Sequence, residues 1–244
     1  MSLEAELRQA RELSVADLAD AIESIGFECT RCGACCKAVE GEDHTATVFP
    51  DEVRDLQEAG EVSEERYDWR DVARPMPYGV TEGDDGPEGE TFEWALGTDD
   101  CGDCTFYRER ESRSDSEGSS GSEPRDDDGT GTCTVHGDRP LICRTYPFSV
   151  VLEGDEGTPL AQPMGAAVDR EGAVRAHECE GLGRDIDRED AEDLAAALKE
   201  RAVRELEEAI AVRERYEPRP DADGVVVHDS EGAKRPDGTP LDSR

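Results

Sequence analysis

Apolar residues fall on one helical face at Val15, Leu18, Ile22 and Ile25, the i, i+3, i+7, i+10 spacing of an amphipathic helix. Ser14 is placed to cap it, with Asp17 three residues on as a capping-box partner, and Gly26 ends it. The pattern predicts a helix over 14–25. Leu3, Leu7 and Ala10 predict an earlier turn or a separate short helix. Near the other end Leu194, Leu198, Ala202, Leu206 and Ile210 recur every four residues. That stripe predicts a long helix from Arg188 to Tyr216 with one buried side, stopped by Pro218 and Pro220.

The middle of the chain reads as short pieces. Ala46–Phe49 is strand-like, and Pro50 suits the first turn of a helix that buries Val53, Leu56 and Ala59 before Gly60. The stretch 78–89 is acidic and turn-rich. Thr91–Leu96 alternates, which would put Phe92, Trp94 and Leu96 on one side of a strand. Pro140 is placed to open a short helix carrying Leu141, Ile142 and Cys143. Phe148–Leu152 and Gly165–Val168 read as strands, and Val225–Val227 is a further strand-sized apolar run. Residues 108–131 hold no large apolar side chain and are rich in Ser, Gly, Asp and Glu, the composition of a disordered insertion. No internal repeat is visible. The expectation is one cysteine-cluster domain over 1–216, followed by a flexible tail over 217–244. Its class is α+β: a small, irregular, metal-nucleated domain with short strands, cysteine loops and a long C-terminal helix.

Composition sharpens this. Only 35% of the 244 residues are hydrophobic and 5% aromatic, so apolar burial is thin, and metal ligation would add stability that burial does not supply. No apolar run approaches the roughly 18 residues of a membrane span, so no membrane partner is expected. The net charge is −35, and lysine occurs only at 37, 199 and 234. Acidity with arginine kept and helical patterning intact suits a cytoplasm of molar salt, where the Debye length is near ~3 Å and like charges barely repel. A halophilic, cytoplasmic protein is expected, because the polar start of the chain has no apolar signal core. There is no basic stripe, which argues against nucleic acid as a partner.

The nine cysteines carry the chemistry. Cys29, Cys32, Cys35 and Cys36 form a C-x2-C-x2-C-C run, in which two-residue gaps let a loop turn its sulfurs toward one point. A disulfide framework belongs to small secreted domains and would leave one of nine thiols over. Free cysteines acting as small hydrophobes suit scattered positions, not this run. Metal is therefore favoured over redox disulfides and inert thiols. Adjacent side chains such as Cys35 and Cys36 are expected to diverge, which points to two nearby sites, or to one ligand plus a redox thiol. One zinc needs four ligands, so this many thiols favours a cluster or two sites. Arg31, Lys37, Arg139 and Arg144 flank the cysteine segments, where cations would stabilise an anionic thiolate centre. They also suit pairing with surface acids. His136 and His177 lie near cysteines as candidate ligands or supporting residues; His44 and His228 have no such context.

The ordered set Cys29–Cys36, Cys104-Thr-Phe-Tyr, Cys133-Thr-Val-His with Arg139-Pro140, and Cys143-Arg-Thr-Tyr-Pro-Phe148 resembles the YkgJ-type cysteine-cluster family, with its CxxCxxCC signature and zinc- or iron-chelating domain. Cys179-Glu-Gly-Leu-Gly is similar to a C-P-G-I-G element of that family, with Glu180 in place of proline. The resemblance covers roughly residues 27 to 183. It implies metal ligation by Cys29, Cys32, Cys35, Cys36, Cys104, Cys133, Cys143 and Cys179, and gives Cys101 no counterpart. The expected cofactor is an iron–sulfur cluster or zinc, and the expected partner a protein or redox partner. An iron–sulfur protein in redox chemistry or electron transfer is favoured. The alternatives are a structural zinc interaction module, and an S-adenosylmethionine-dependent lysine methyltransferase-like enzyme. No Gly-rich nucleotide loop follows a strand to support the last.

Overall fold

The computed structural model describes residues 2–38, 44–62, 66–84, 86–109, 131–152, 160–163 and 165–241. Its helices are α1 (Leu3–Glu12), α2 (Val15–Ile25), α3 (Pro50–Val62), α4 (Trp69–Val72), α5 (Leu141–Thr145) and α6 (Arg188–Arg215). Its strands are β1 (Thr47–Val48), β2 (Ala73–Pro75), β3 (Val80–Gly83), β4 (Gly86–Thr91), β5 (Trp94–Leu96), β6 (Tyr107–Arg108), β7 (Thr132–Cys133), β8 (Phe148–Val150), β9 (Ala167–Glu171), β10 (Val174–His177), β11 (Val225–Asp229) and β12 (Gly232–Lys234). They form small sheets ordered β1-β5-β2, β8-β10-β9, β12-β11-β4-β3 and β6-β7. The mixture is α+β, as the pattern predicts.

The helix signals act as capping chemistry says. The Ser14 hydroxyl accepts the Asp17 amide at 3.2 Å, and Asp187 accepts the Asp190 amide at 2.9 Å, each satisfying a free first-turn N–H. α2 and α6 lay their apolar faces on β10 and β8, and α1 packs on α6. Leu7, Leu18, Ile22, Leu198 and Leu206 meet Phe148, Val150 and Val174 in one core. A second core gathers Val48, Val53, Leu56, Val72, Trp94, Leu96, Phe106 and Val227. The two meet along α6. There Arg201, only 2% exposed, donates to Thr145 Oγ1 of α5 at 2.6 Å, to the Phe148 carbonyl at 3.1 Å and to the Ala161 carbonyl at 2.9 Å. Its Nε pairs with Glu205 at 3.1 Å.

Several expectations are corrected. The 78–89 stretch is not only turns: β3 and most of β4 lie in it. Apart from Val80 and Pro87, the two strands consist of Gly, Glu and Thr, so no apolar alternation announces them. The Thr91–Leu96 strand is broken, because the chain bends after β4; Trp94 and Leu96 are buried, but Phe92 is 44% exposed. α3 runs past Gly60 to Val62. The chain after Pro220 does not fray throughout. β11 pairs in parallel with β4, Val225 opposite Gly89 and Val227 opposite Thr91, and β12 closes that edge. A strand covered on both faces needs a continuous apolar run, not alternation, and Val225–Val227 provides one. Of the 108–131 insertion, residues 110–130 lie outside the described residues. Its two ends are brought together, since Tyr107 pairs with Cys133 and Arg108 with Thr132.

Candidate metal centre

Four separate stretches of chain, together with the loop that carries Cys179, deliver the cysteines to one place. The first is the loop after α2. Gly26 turns the chain with φ +77°, where a Cβ would meet the Arg184 carbonyl. Phe27 then bridges to Leu182, and the Glu28 amide donates to the Gly181 carbonyl at 3.0 Å. The Thr30 hydroxyl donates to Glu180 at 2.5 Å. These contacts hold Cys29 and Cys32 beside the loop that carries Cys179. Arg31 between them has φ +57°, an uncommon backbone state for a residue with a side chain. Ala34–Cys36 then forms a single 3-10 turn.

The second stretch is Cys104, whose amide donates to the Cys36 carbonyl at 2.7 Å. The third is β7, where the Tyr107–Cys133 pairing fixes Cys133. The fourth is α5, which carries Cys143. Its start is anchored by the Leu141 amide donating to Glu52 at 2.8 Å, while the other oxygen of Glu52 takes the Phe49 amide at 3.0 Å.

The result is a cavity of about 150 Å3 lined by Cys29, Cys32, Cys35, Cys36, Cys104, Cys133, Cys143 and Cys179. Cys101 is exposed and does not line it. Cys36, Cys104, Cys133 and Cys143 are the sulfurs that pack on the second core. Contrary to the expected divergence, the sulfurs of Cys35 and Cys36 lie 3.9 Å apart, because the 3-10 turn folds both inward. Among the described residues no three Cys, His, Asp or Glu side chains are gathered tightly enough to hold one ion as they stand.

Electrostatics match protonated thiols in this geometry. Burial pushes the Cys104 thiol up to about 11 and raises Cys133, Cys143 and Cys179. For Cys35 the hydrogen bond with Cys36 is the larger cause, followed by burial. Arg31, Arg139 and Arg144 line the same cavity, so thiolates formed there face cations. A thiophilic metal fits this donor set: soft sulfur ligands, flanking positive charge and partial exclusion of water.

The histidines separate. His136 lines the cavity, and its buried Nε2 has no hydrogen-bond partner among the described residues. His177 does not face the cysteines. Its ring nitrogens meet Ser149 Oγ and the Gly165 carbonyl, both at 3.1 Å, so the expected candidate ligand is a packing residue. No motif singles out His44, yet its Nε2 lies 3.2 Å from the Cys35 carbonyl. It braces the turn that aims Cys35 and Cys36. Tyr107 and Tyr146 also line the cavity. The Tyr107 ring occupies the space that a Cβ at Gly33 or Gly131 would need, which is why both are glycine. Tyr146, which precedes a cis peptide to Pro147, donates its hydroxyl to the Glu178 carbonyl at 2.6 Å.

No helix among the described residues is long and apolar enough to cross a membrane. No curated protein and no solved structure matches the chain. Residues 28–180 match the CxxCxxCC family, described as "Putative zinc- or iron-chelating domain"; the span begins one residue before Cys29 and ends one after Cys179. This chain, with its cysteine-lined cavity, is a metal-binding protein that belongs to the CxxCxxCC family.

Proposed function

We propose that the cysteine cavity holds an iron–sulfur centre that exchanges electrons with a redox partner protein. The observation that carries this reading is the convergence of eight thiols, spread from Cys29 to Cys179, on one cavity. That is twice the ligand set of a single structural zinc. Cys36, Cys104, Cys133 and Cys143 would hold the side toward the second core, and Cys29, Cys32, Cys35 and Cys179 the outer side. When bound, the centre supplies a reversible one-electron couple. The protein's part is to gather sulfur ligands, exclude water on the inner side and offset anionic charge with Arg31, Arg139 and Arg144. The buried thiols must give up their protons to bind metal, so loading releases protons.

A second reading is a pair of structural zinc ions. The packing of Cys104 inside the second core favours it, since structural sites are closed. Purification without oxygen, followed by iron, zinc and acid-labile sulfide analysis, separates the two. The iron–sulfur reading expects a brown protein holding iron and sulfide. A colourless protein with zinc and no sulfide overturns it in favour of structural zinc.

A further inference from the structure

A second cavity, larger than the cysteine-lined one, contains no cysteine. It lies between α6, β5 and the start of α3, has a volume of about 480 Å3, and is walled by Val48, Met76, Trp94 and Val212 among others. Tyr78, Phe92 and Tyr216 stand at its edge, exposed by 68%, 44% and 39%, and are three of the four most exposed large apolar side chains among the described residues. Phe92 and Tyr216 meet edge to face with centroids 5.1 Å apart, and the Tyr216 hydroxyl is held by Glu90 at 2.8 Å. The aromatic mouth is therefore fixed in place.

Its polar lining is Glu93, Glu205, Glu208, Asp229 and Arg213 together with hydroxyl groups. Most of these charges are matched from within. Asp229 pairs with Lys234 at 2.7 Å and accepts the Trp94 indole N–H at 2.8 Å. Glu205 pairs with Arg201, and Arg213 is engaged outside by Glu4. Glu208 accepts the Ser230 amide at 2.6 Å. Glu93 and Glu208 make no ion pair among the described residues. Glu93, which is exposed, and Glu208, which is partly buried, line the same cavity.

We propose that this cavity binds a small aliphatic amine, its ammonium group between Glu93 and Glu208 and its hydrocarbon body against Phe92, Tyr216 and Trp94. The volume falls within the ~300–1,000 Å3 of organic-ligand pockets and is far more than a bare ion fills. Unmatched carboxylates call for positive charge, and aromatic faces attract an alkylammonium through their π-electrons. Apolar walls reward a hydrocarbon chain. The site is separate from the cysteine cavity and does not depend on which metal that cavity holds.

The probe is 1,5-diaminopentane, titrated into the metal-loaded full chain in about 1 M potassium chloride, where diffuse attraction to an acidic surface is screened. Calorimetry and tryptophan fluorescence report binding. The expected result is saturable binding at one site, weakened at least about tenfold in Glu93→Gln/Glu208→Gln and about threefold in Phe92→Ala, with metal content unchanged. Glu171→Gln, on the exposed strand β9, should bind as the parent does. Phe92 is half exposed, so Phe92→Ala keeps the test alive if the double variant folds poorly. No binding, equal binding of neutral 1-pentanol, or equal weakening in Glu171→Gln overturns the proposal.

Discussion

The two cores are closed by different means. In the first, two helices press Leu18, Ile22, Leu198 and Leu206 onto Phe148, Val150 and Val174, and no cysteine takes part. Each such side chain contributes roughly 1.5–3 kcal/mol by leaving water. The second packs α3 on strands of two to six residues, with Cys104 inside it and Cys36, Cys133 and Cys143 at its margin. Ladders that short do not hold themselves together. One half of the molecule thus rests on apolar burial, whereas the other needs cross-links that sulfur can supply through metal.

Removing the metal should break this symmetry most strongly. Structural metal binding is worth on the order of 10 kcal/mol where it is coupled to folding. With a chelator, amide hydrogen exchange should rise by orders of magnitude in β1, β5, β6 and β7 while amides of α2 and α6 stay protected. Simultaneous loss of protection in both sets would mean that the cores fold as one unit and that the contrast is wrong.

Arg201→Ala attacks the joint instead. It leaves Glu205 buried beside no cation and strips donors from Thr145, the Phe148 carbonyl and the Ala161 carbonyl. Breaking one partner of a buried pair costs about 3–5 kcal/mol. Urea unfolding followed by circular dichroism should show a loss of that size, and α5 carries Cys143, so metal retention should fall as well. A shift below about 1 kcal/mol would place the joint elsewhere.

Salt acts on the whole surface, with a smaller effect at any one contact. Arginines tie separate elements through carboxylates: Arg188 to Asp20 and Glu23, Arg204 to Asp51 and Arg54 to Glu231. Single exposed pairs contribute about 0–1 kcal/mol, too little to offset a net charge of −35 once screening is lost. We expect the unfolding midpoint to fall as salt drops from about 1 M to about 0.01 M, where the Debye length grows to ~30 Å. An unchanged midpoint would remove the case for a protein adapted to molar salt.

How legible each half was follows from the same contrast. α2 and α6 have apolar residues at helical period, and the structure begins and ends them within a residue of the predicted limits. β3 and β4 are Gly- and Glu-rich and carry no apolar alternation, and the other edge of β4 pairs with β11, well over a hundred residues away, which no local pattern encodes. The Cys29–Cys36 run could be read because thiol spacing is itself chemical information, whereas Cys104, Cys133, Cys143 and Cys179 were implied by the family resemblance. His44 could not, since its contact is to a backbone carbonyl brought close by the fold. Arg201 was hidden for a related reason: a stripe of leucines says which face of α6 is buried, not that an arginine is buried with it.

The smallest effect sharpens the comparison by its absence. Residues 110–130 separate β6 from β7, and both strands lie beside the cavity. Arg108 already pairs with Thr132, so deletion of 110–130 would join Glu109 directly to Gly131. That junction is a two-residue hairpin loop, the shortest that antiparallel strands use, with glycine free to take the positive φ such turns demand. Glu109 would keep its ion pair with Lys37, now 2.6 Å long, and Tyr107 would stay opposite Cys133. Shortening the loop also lowers its closure entropy by an amount on the order of 1–2 kcal/mol. Metal content per chain should therefore be unchanged and the unfolding midpoint unchanged or slightly raised. Loss of metal in the shortened chain would show that the excised residues feed the site, and that the second core is held by more than its own strands and sulfurs.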